Sequence, residues 1–200
     1  MKNKIFATAL SLLVAALMIA VIPTEAEAAV YDDTVRLHIL ANSDSDEDQA
    51  LKYEIRDEVL NKYGTVLSSL TSADEAEETL LAVLDDIKVF CEEEISERGY
   101  SYNVEVSLGE EWYDTRNYES FILPKGIYTS LRIIIGEGEG KNWWCVMYPP
   151  LCLDAATESA PADDAVKKYT DEEFTLVTSG GYNVKFKMLE LISDAFSQKH

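Results

Sequence analysis

Thr34-Val-Arg-Leu-His-Ile-Leu40, followed by Ala41-Asn42-Ser43 and Asp44-Ser-Asp-Glu-Asp-Gln-Ala-Leu51, is the stretch that decides the fold. Val35, Leu37 and Ile39 alternate with Arg36, His38 and Leu40, which predicts a strand with one well-buried face. Ala41-Asn42-Ser43 ends it. Asp44 or Ser45 then caps a helix whose first turn holds Asp46, Glu47 and Asp48, the charge sign favoured at a helix N-terminus. Leu51, Ile55, Val59 and Tyr63 recur at steps of four, and Gly64 is the expected stop.

Working outward, a second helix is expected from about Ser72 to Arg98, with Leu80, Leu84, Ile87, Cys91 and Ile95 inward and Gly99 as its end. The period then changes to two. Tyr102, Val104, Val106 and Leu108 mark one strand, and Tyr118–Leu123 a further, less regular one closed by Pro124-Lys125-Gly126. Ile127–Ile135 is a strong strand, Gly136–Gly140 reads as a hairpin turn, and Asn142–Met147 returns. Residues 154–171 read as a loop. Phe174–Val177 with Tyr182–Phe186 predicts a strand pair, and Met188–Phe196 a closing helix. The expected fold is one α+β domain: two helices after the first strand, packed on a mainly antiparallel sheet, with a closing C-terminal helix.

The N-terminus reads as a targeting segment. Lys2 and Lys4 precede an uncharged run from Ile5 to Ile22, Pro23 ends it, and Ala26-Glu27-Ala28 has small residues where a signal peptidase reads. Residues 1–28 are either a signal peptide cut after Ala28 or a retained membrane anchor. Both place residues 29–200 outside the cytoplasm. The net charge of −20 repels phosphate backbones and anionic lipid surfaces. Nucleic acid is excluded as a partner, and the membrane is met only through the export segment.

Several motifs invite a chemical reading. Asp44, Asp46 and Asp48 have the first carboxylate spacings of a calcium loop, but Gln49 and Ile55 stand where that loop needs Gly and Glu. Gly136-x-Gly138-x-Gly140 precedes a strand rather than a helix, so it is no dinucleotide fingerprint. His38, with Asn42, Ser43 and Asp44 nearby, forms either an acid–base site or a hydrogen-bonded turn. No nucleophile motif accompanies it, and no catalytic set is assigned. Cys91 falls on an apolar helix stripe as a small hydrophobe. Cys145 and Cys152 flank a Pro-Pro bend and are either a disulfide closing a short loop or two reduced thiols. No metal or cofactor is implied.

Trp143 and Trp144 are adjacent and point to opposite faces of a strand. Tyr148-Pro149-Pro150-Leu151 leaves the sheet, since Pro cannot donate to a ladder. Trp143, Trp144, Tyr148, Pro149, Pro150 and Leu151 are candidate partner contacts, or an internal plug. His38, Asn42, Ser43 and Asp44 are a second candidate patch.

Two segments together carry a family resemblance. Val35-Arg-Leu-His-Ile-Leu-Ala-Asn-Ser-Asp44-Ser-Asp-Glu-Asp-Gln-Ala-Leu-Lys52, running on to Arg56-Asp57, is similar to the opening signature of the stage II sporulation protein R family. Gly136-x-Gly138-x-Gly140-x-Asn142-Trp-Trp-Cys-Val-Met-Tyr-Pro-Pro-Leu-Cys152 resembles its second signature. The resemblance implies an exported signalling protein of endospore formation, acting between forespore and mother cell. Its implied partner is a membrane-embedded aspartic-type protease of the mother cell, which then processes the sigma-E precursor. The rival reading is an exported hydrolase acting on cell wall or peptide through His38.

Overall fold

The computed structural model describes residues 2–21, 25–118, 121–151 and 168–179. Helix α1 (Lys2–Val21) carries the apolar N-terminal run, with Ile5, Phe6, Leu10, Leu13 and Val14 exposed. Helix α2 (Glu25–Asp32) runs across the position expected for cleavage, and its Val30 is buried in the main core.

Strand β1 (Val35–Leu40) turns into helix α3 (Asp46–Val59). Ser45 is the cap: its hydroxyl accepts from the Asp48 N–H at 3.2 Å. Leu51, Ile55 and Val59 are all buried, as their spacing requires. Gly64 does not stop the helix. A π-turn over Leu60–Gly64 leads into a short helix, α4 (Thr65–Ser68), and Gly64 keeps helical angles (φ −62°, ψ −36°). The wider turn rotates the apolar stripe, so that Leu60 and Leu67 also reach the core.

The expected second helix is two helices, α5 (Ala73–Ala82) and α6 (Leu84–Glu97), broken at Val83 (φ −119°, ψ 12°). The break keeps both pieces on the sheet: Ala76 and Leu80 are buried from one, Ile87, Cys91 and Ile95 from the other. Gly99, at φ +85°, follows α6 as expected. Arg98 joins α6 to α3 by pairing with Glu94 at 2.6 Å and Glu54 at 2.7 Å.

The remaining strands are β2 (Val104–Tyr113), β3 (Arg116–Asn117), β4 (Ile122–Leu123), β5 (Gly126–Ile135) and β6 (Asn142–Tyr148). The short β3 and β4 pair with each other, and the main sheet has the order β2-β5-β1-β6. Its β2–β5 and β1–β6 pairs are antiparallel, and its central β1–β5 pair is parallel. The fold is thus α+β on a mainly antiparallel sheet, but β5 and β6 do not form the expected hairpin. Strand β1 lies between β5 and β6, so Gly136–Gly140 is no hairpin turn: it crosses the end of β1. A Cβ at Gly136 would collide with the Asn42 side chain, and one at Gly140 with the Ser43 carbonyl oxygen. Glu139 N and Gly140 N donate to the Asn42 and Ala41 carbonyls at 3.2 and 3.0 Å.

The inner face of the sheet places Val35, Leu37, Ile39, Leu131, Ile133 and Ile135 in one core with the helices. Arg36 and His38, expected on the polar face, are buried too, at 0% and 5% exposure. Their cover is aromatic: Tyr113 and Tyr128 lie against the Arg36 guanidinium, and Trp144 stacks on His38. Tyr31 of α2 meets Tyr128 edge-on.

Phe174–Val177, expected as a strand, lies in helix α7 (Asp171–Ser179), which packs against α2 and β4. Its start is a capping box: Thr170 N donates to Glu173 Oε2 at 2.6 Å, and Glu173 N to Thr170 Oγ1 at 3.4 Å. The expected strand Tyr182–Phe186 and closing helix Met188–Phe196 lie outside the described residues.

The crossing generates a first prediction. Gly140→Ala should destabilise the chain by about 1–3 kcal/mol, read as a lower urea midpoint. Gly109→Ala, with open space around its Cβ, should shift it by less than about 0.5 kcal/mol. Equal shifts would dismiss the close approach.

The α2–α7 contact generates a second. Burial, with hydrogen bonding to Glu173 and its charge, pushes the Asp33 carboxyl up to about 6. The two carboxyls of Asp33 and Glu173 interact through a side-chain hydrogen bond, which needs a proton between them. Because the folded value is raised, this stabilisation is full below about pH 4 and is lost as pH rises through about 6. Hydrogen exchange, corrected for intrinsic rates, should show residues 25–33 and 171–179 better protected at about pH 5 than at about pH 7.5. Asp33→Asn should flatten that difference.

Candidate functional site

The outer face of the sheet is built in rungs. Register sets Ser107, Arg132, His38 and Trp144 side by side across the four strands, and Gly109, Ser130, Arg36 and Val146 on the next rung. His38 Nδ1 lies 2.8 Å from Glu111 Oε1, and Nε2 lies 2.8 Å from Asn142 Oδ1. The second oxygen of Glu111 accepts from Tyr113 OH at 3.0 Å, and that hydroxyl also meets Ser130 Oγ at 2.6 Å. Burial pushes the Tyr113 phenol above its ordinary range, which keeps it a neutral donor. Arg36 donates from Nη2 to Tyr118 OH at 2.8 Å, while its Nε and Nη1 have no acceptor among the described residues.

This arrangement fixes the His38 ring in place. Both ring nitrogens of His38 are engaged, its ring is stacked on Trp144 at 5.5 Å, and its neighbours are a carboxylate and an amide. Beside this network lies an open cleft of ≈260 Å³, lined by Ser107, Gly109, Glu111, Ser130 and Arg132 among others.

The second expected patch separates. Asn42 and Ser43 do not join His38 but converge on Asp48, donating to its Oδ2 at 2.9 and 2.5 Å. Tyr102 OH donates to Oδ1 at 2.9 Å. Burial pushes the Asp48 carboxyl up, but hydrogen bonds from Ser43, Asn42, Tyr102 and Ser45 outweigh it and hold the group below its ordinary value. Asp44 accepts instead from Lys141 N at 2.7 Å. Gln49 donates to Ser43 O at 2.9 Å, and buried Lys52 bonds Gln49 Oε1 and Lys141 O at 2.6 and 2.9 Å. Asn42 Oδ1 also accepts from Glu137 N at 3.0 Å. The two signature segments are therefore bonded to each other, and most of their polar residues serve that junction.

The aromatic–proline segment is mostly internal. Trp143 and Trp144 are half-buried on opposite faces: Arg56 lies over the first at 5.0 Å, and Arg116 over the second at 3.7 Å. Tyr148, Pro149 and Leu151 are buried and Pro150 is partly covered; the Tyr148–Pro149 peptide is cis. The accessible part of the first expected patch narrows to Trp143, Trp144 and Pro150. Cys145 is disulfide-bonded, Cys91 is a buried free thiol pushed up to about 12 by burial, and Cys152 lies outside the described residues.

Sequence reasoning missed Glu111, Tyr113, Arg116, Ser130 and Arg132. The signal was present: alternation in β2 runs past Leu108 through Gly109, Glu111 and Tyr113, all on the outer face. In sequence Asp48 reads as a first-turn acid and as part of an incomplete calcium-loop spacing, although its spacing to Asn42 and Ser43 suits a loop-to-helix anchor.

Asp48→Ala should cost about 2–4 kcal/mol, because it strips acceptors from several buried or half-buried donors. In wild type this stabilisation is complete above the ordinary carboxylate range and is lost as pH falls through the depressed folded value. Urea midpoints at neutral and acidic pH check both statements. A loss below about 0.5 kcal/mol would show the junction to be dispensable.

Residues 31–158 match the family model described as Stage II sporulation protein R. A curated relative, "Stage II sporulation protein R" of Bacillus subtilis (strain 168), is 36% identical over 185 residues, covering 83% of this chain and 83% of the relative. No solved structure matches the chain. With both signature segments inside the matched region and joined around Asp48, the chain belongs to the stage II sporulation protein R family.

Proposed function

We propose that this sporulation protein is exported and acts as an extracytoplasmic signal that activates a membrane-embedded aspartic-type protease, leading to processing of the sigma-E precursor. A role in sporulation follows from family membership. The exported location rests on the N-terminal segment, whose charged start and apolar helix suit a signal peptide or an anchor. Cleavage after Ala28 leaves Val30 and Tyr31, which pack on the domain, in the mature chain.

The single observation that carries a binding rather than a catalytic role is the state of His38. It is the one internal histidine, and both its nitrogens are spent on Glu111 and Asn142. Its Nε2 meets the Asn142 amide oxygen rather than a hydroxyl or thiol. A protein that instructs a protease needs a stiff surface, and the Asp48 junction and aromatic cover of the sheet supply stiffness.

The test is co-expression of the full chain, the protease and the sigma-E precursor in a non-sporulating host, followed by a blot for precursor size. Processing should require this chain and should vanish when residues 1–28 are deleted. His38→Gln should reduce processing only in proportion to folded protein recovered. Processing without this chain, or undiminished after deletion of residues 1–28, sinks the reading.

A further inference from the structure

We infer that the helix face of the sheet, at its uncovered end around Trp112 and Ile127, docks a short peptide segment of a protein partner that carries Lys or Arg beside apolar residues. Register fixes the place. Leu108 pairs with Leu131, Glu110 with Thr129 and Trp112 with Ile127, on successive rungs of one face. Leu131 belongs to the core, and Leu108 packs against it. Two rungs further on, Trp112 and Ile127 are 61% and 52% exposed. The helices therefore stop short of the end of this face. A cross-strand Trp–Ile pair left in water is apolar surface whose burial would be favourable, and such surface rimmed by polar groups is where proteins meet.

The rim of this face selects the occupant. An open cleft of ≈390 Å³ lies against Ile127, bordered by the end of α2 and the start of α5. Asp32 and Asp33 line it from the first side, Asp74 and Glu77 from the second and Glu110 from β2, and no Lys or Arg lines it among the described residues. Segments far apart in sequence thus bring carboxylates to one hollow, where their fields add. Asp33 registers the result: besides burial and its hydrogen bond to Glu173, the charges of Glu173, Asp32 and Asp74 raise its carboxyl. An entering cation relieves that repulsion. Among the described residues no three acids are grouped to hold a metal ion, so the match is to separate cationic side chains spread along the cleft. A bare cation would also leave Trp112 and Ile127 in water, whereas an extended segment alternating basic and apolar residues satisfies both parts of the surface. The net charge of −20 draws such a segment in and repels a second copy of this chain.

That the segment belongs to the activated protease rests on the function proposed above; the charge and apolar chemistry do not. The full chain in nonionic detergent micelles, against a micelle-only blank, is titrated into a fluorophore-labelled, end-capped peptide alternating Lys and Val, and into its Gln counterpart, following anisotropy. The Lys peptide should bind at least about tenfold tighter, with affinity falling as salt rises. Glu77→Gln/Glu110→Gln should lose about tenfold with unchanged circular dichroism, and Trp112→Ser about fivefold. Glu93→Gln/Glu97→Gln, on the exposed side of α6, changes the net charge equally and should lose less than about twofold. Equal binding of both peptides, equal loss in the two folded double variants, or full competition by millimolar magnesium at constant ionic strength would overturn the dock. So would tighter binding by Lys185→Gln/Lys187→Gln, which would give the face to this chain's own C-terminal segment. The co-expression assay separates the two ideas. Processing by wild type and by Glu77→Gln/Glu110→Gln alike overturns the dock and leaves the activator. Peptide discrimination that is lost in that variant, without wild-type processing, supports the dock and removes the activator.

Discussion

The rest of the structure depends on one buried carboxylate. Asp48 sits in the first turn of α3, nearly sealed from solvent, and is held ionised by donors from Asn42, Ser43 and Tyr102. An isolated buried charge is costly, and hydrogen bonding is what offsets that cost here. The consequence reaches further than the helix start. By fixing Asn42 and Ser43, Asp48 fixes the turn after β1, and that turn receives the backbone of the glycine-rich crossing. Strand β6 can then lie beside β1 and carry Trp143 and Trp144 to their two faces. Remove the carboxylate, and the edge of the sheet loses its reference point.

This dependence explains why the glycines occur where they do. A hairpin between β5 and β6 needs glycine only for positive φ, which Gly136 and Gly138 adopt at +61° and +65°. Gly140 needs no such angle. It is small because the crossing presses against the Ser43 carbonyl, leaving no room for a Cβ. Steric contact with a distant turn, rather than local turn chemistry, selects that residue. The same contact inserts β1 as a central strand parallel to β5.

Much of the inner layer was legible because periodicity reports burial on one side. Leu51, Ile55 and Val59, or Ile87, Cys91 and Ile95, announce themselves as a stripe, and Ser45, Ser72 and Gly99 mark ends by local chemistry. Pairing was not legible. The sequence order β5, glycines, β6 resembles a hairpin whether or not a third strand intervenes. The burial of Arg36 and His38 was also hidden, because their cover comes from Tyr113, Tyr128 and Trp144, residues far away in sequence that read as ordinary strand aromatics. In α7 the error was different: Thr170 and Glu173 form a capping box, but the apolar Phe174–Val177 run looked like a strand. Of the candidate site, the tryptophans and His38 were visible, and the junction partner Asp48 was visible as a helix-start acid and as part of an incomplete calcium-loop spacing, not as an anchor.

What separates the two faces in function is how their polar groups are employed. Around Asp48 nearly every donor has an acceptor, and the residues of both signatures are consumed in holding the chain together. On the outer face, Arg36 and Arg116 keep buried N–H groups without acceptors among the described residues, with their guanidinium groups over the rings of Tyr113 and Trp144. Native proteins rarely leave such groups orphaned without a use for them. The signature residues that meet around Asp48 thus build the frame of the fold.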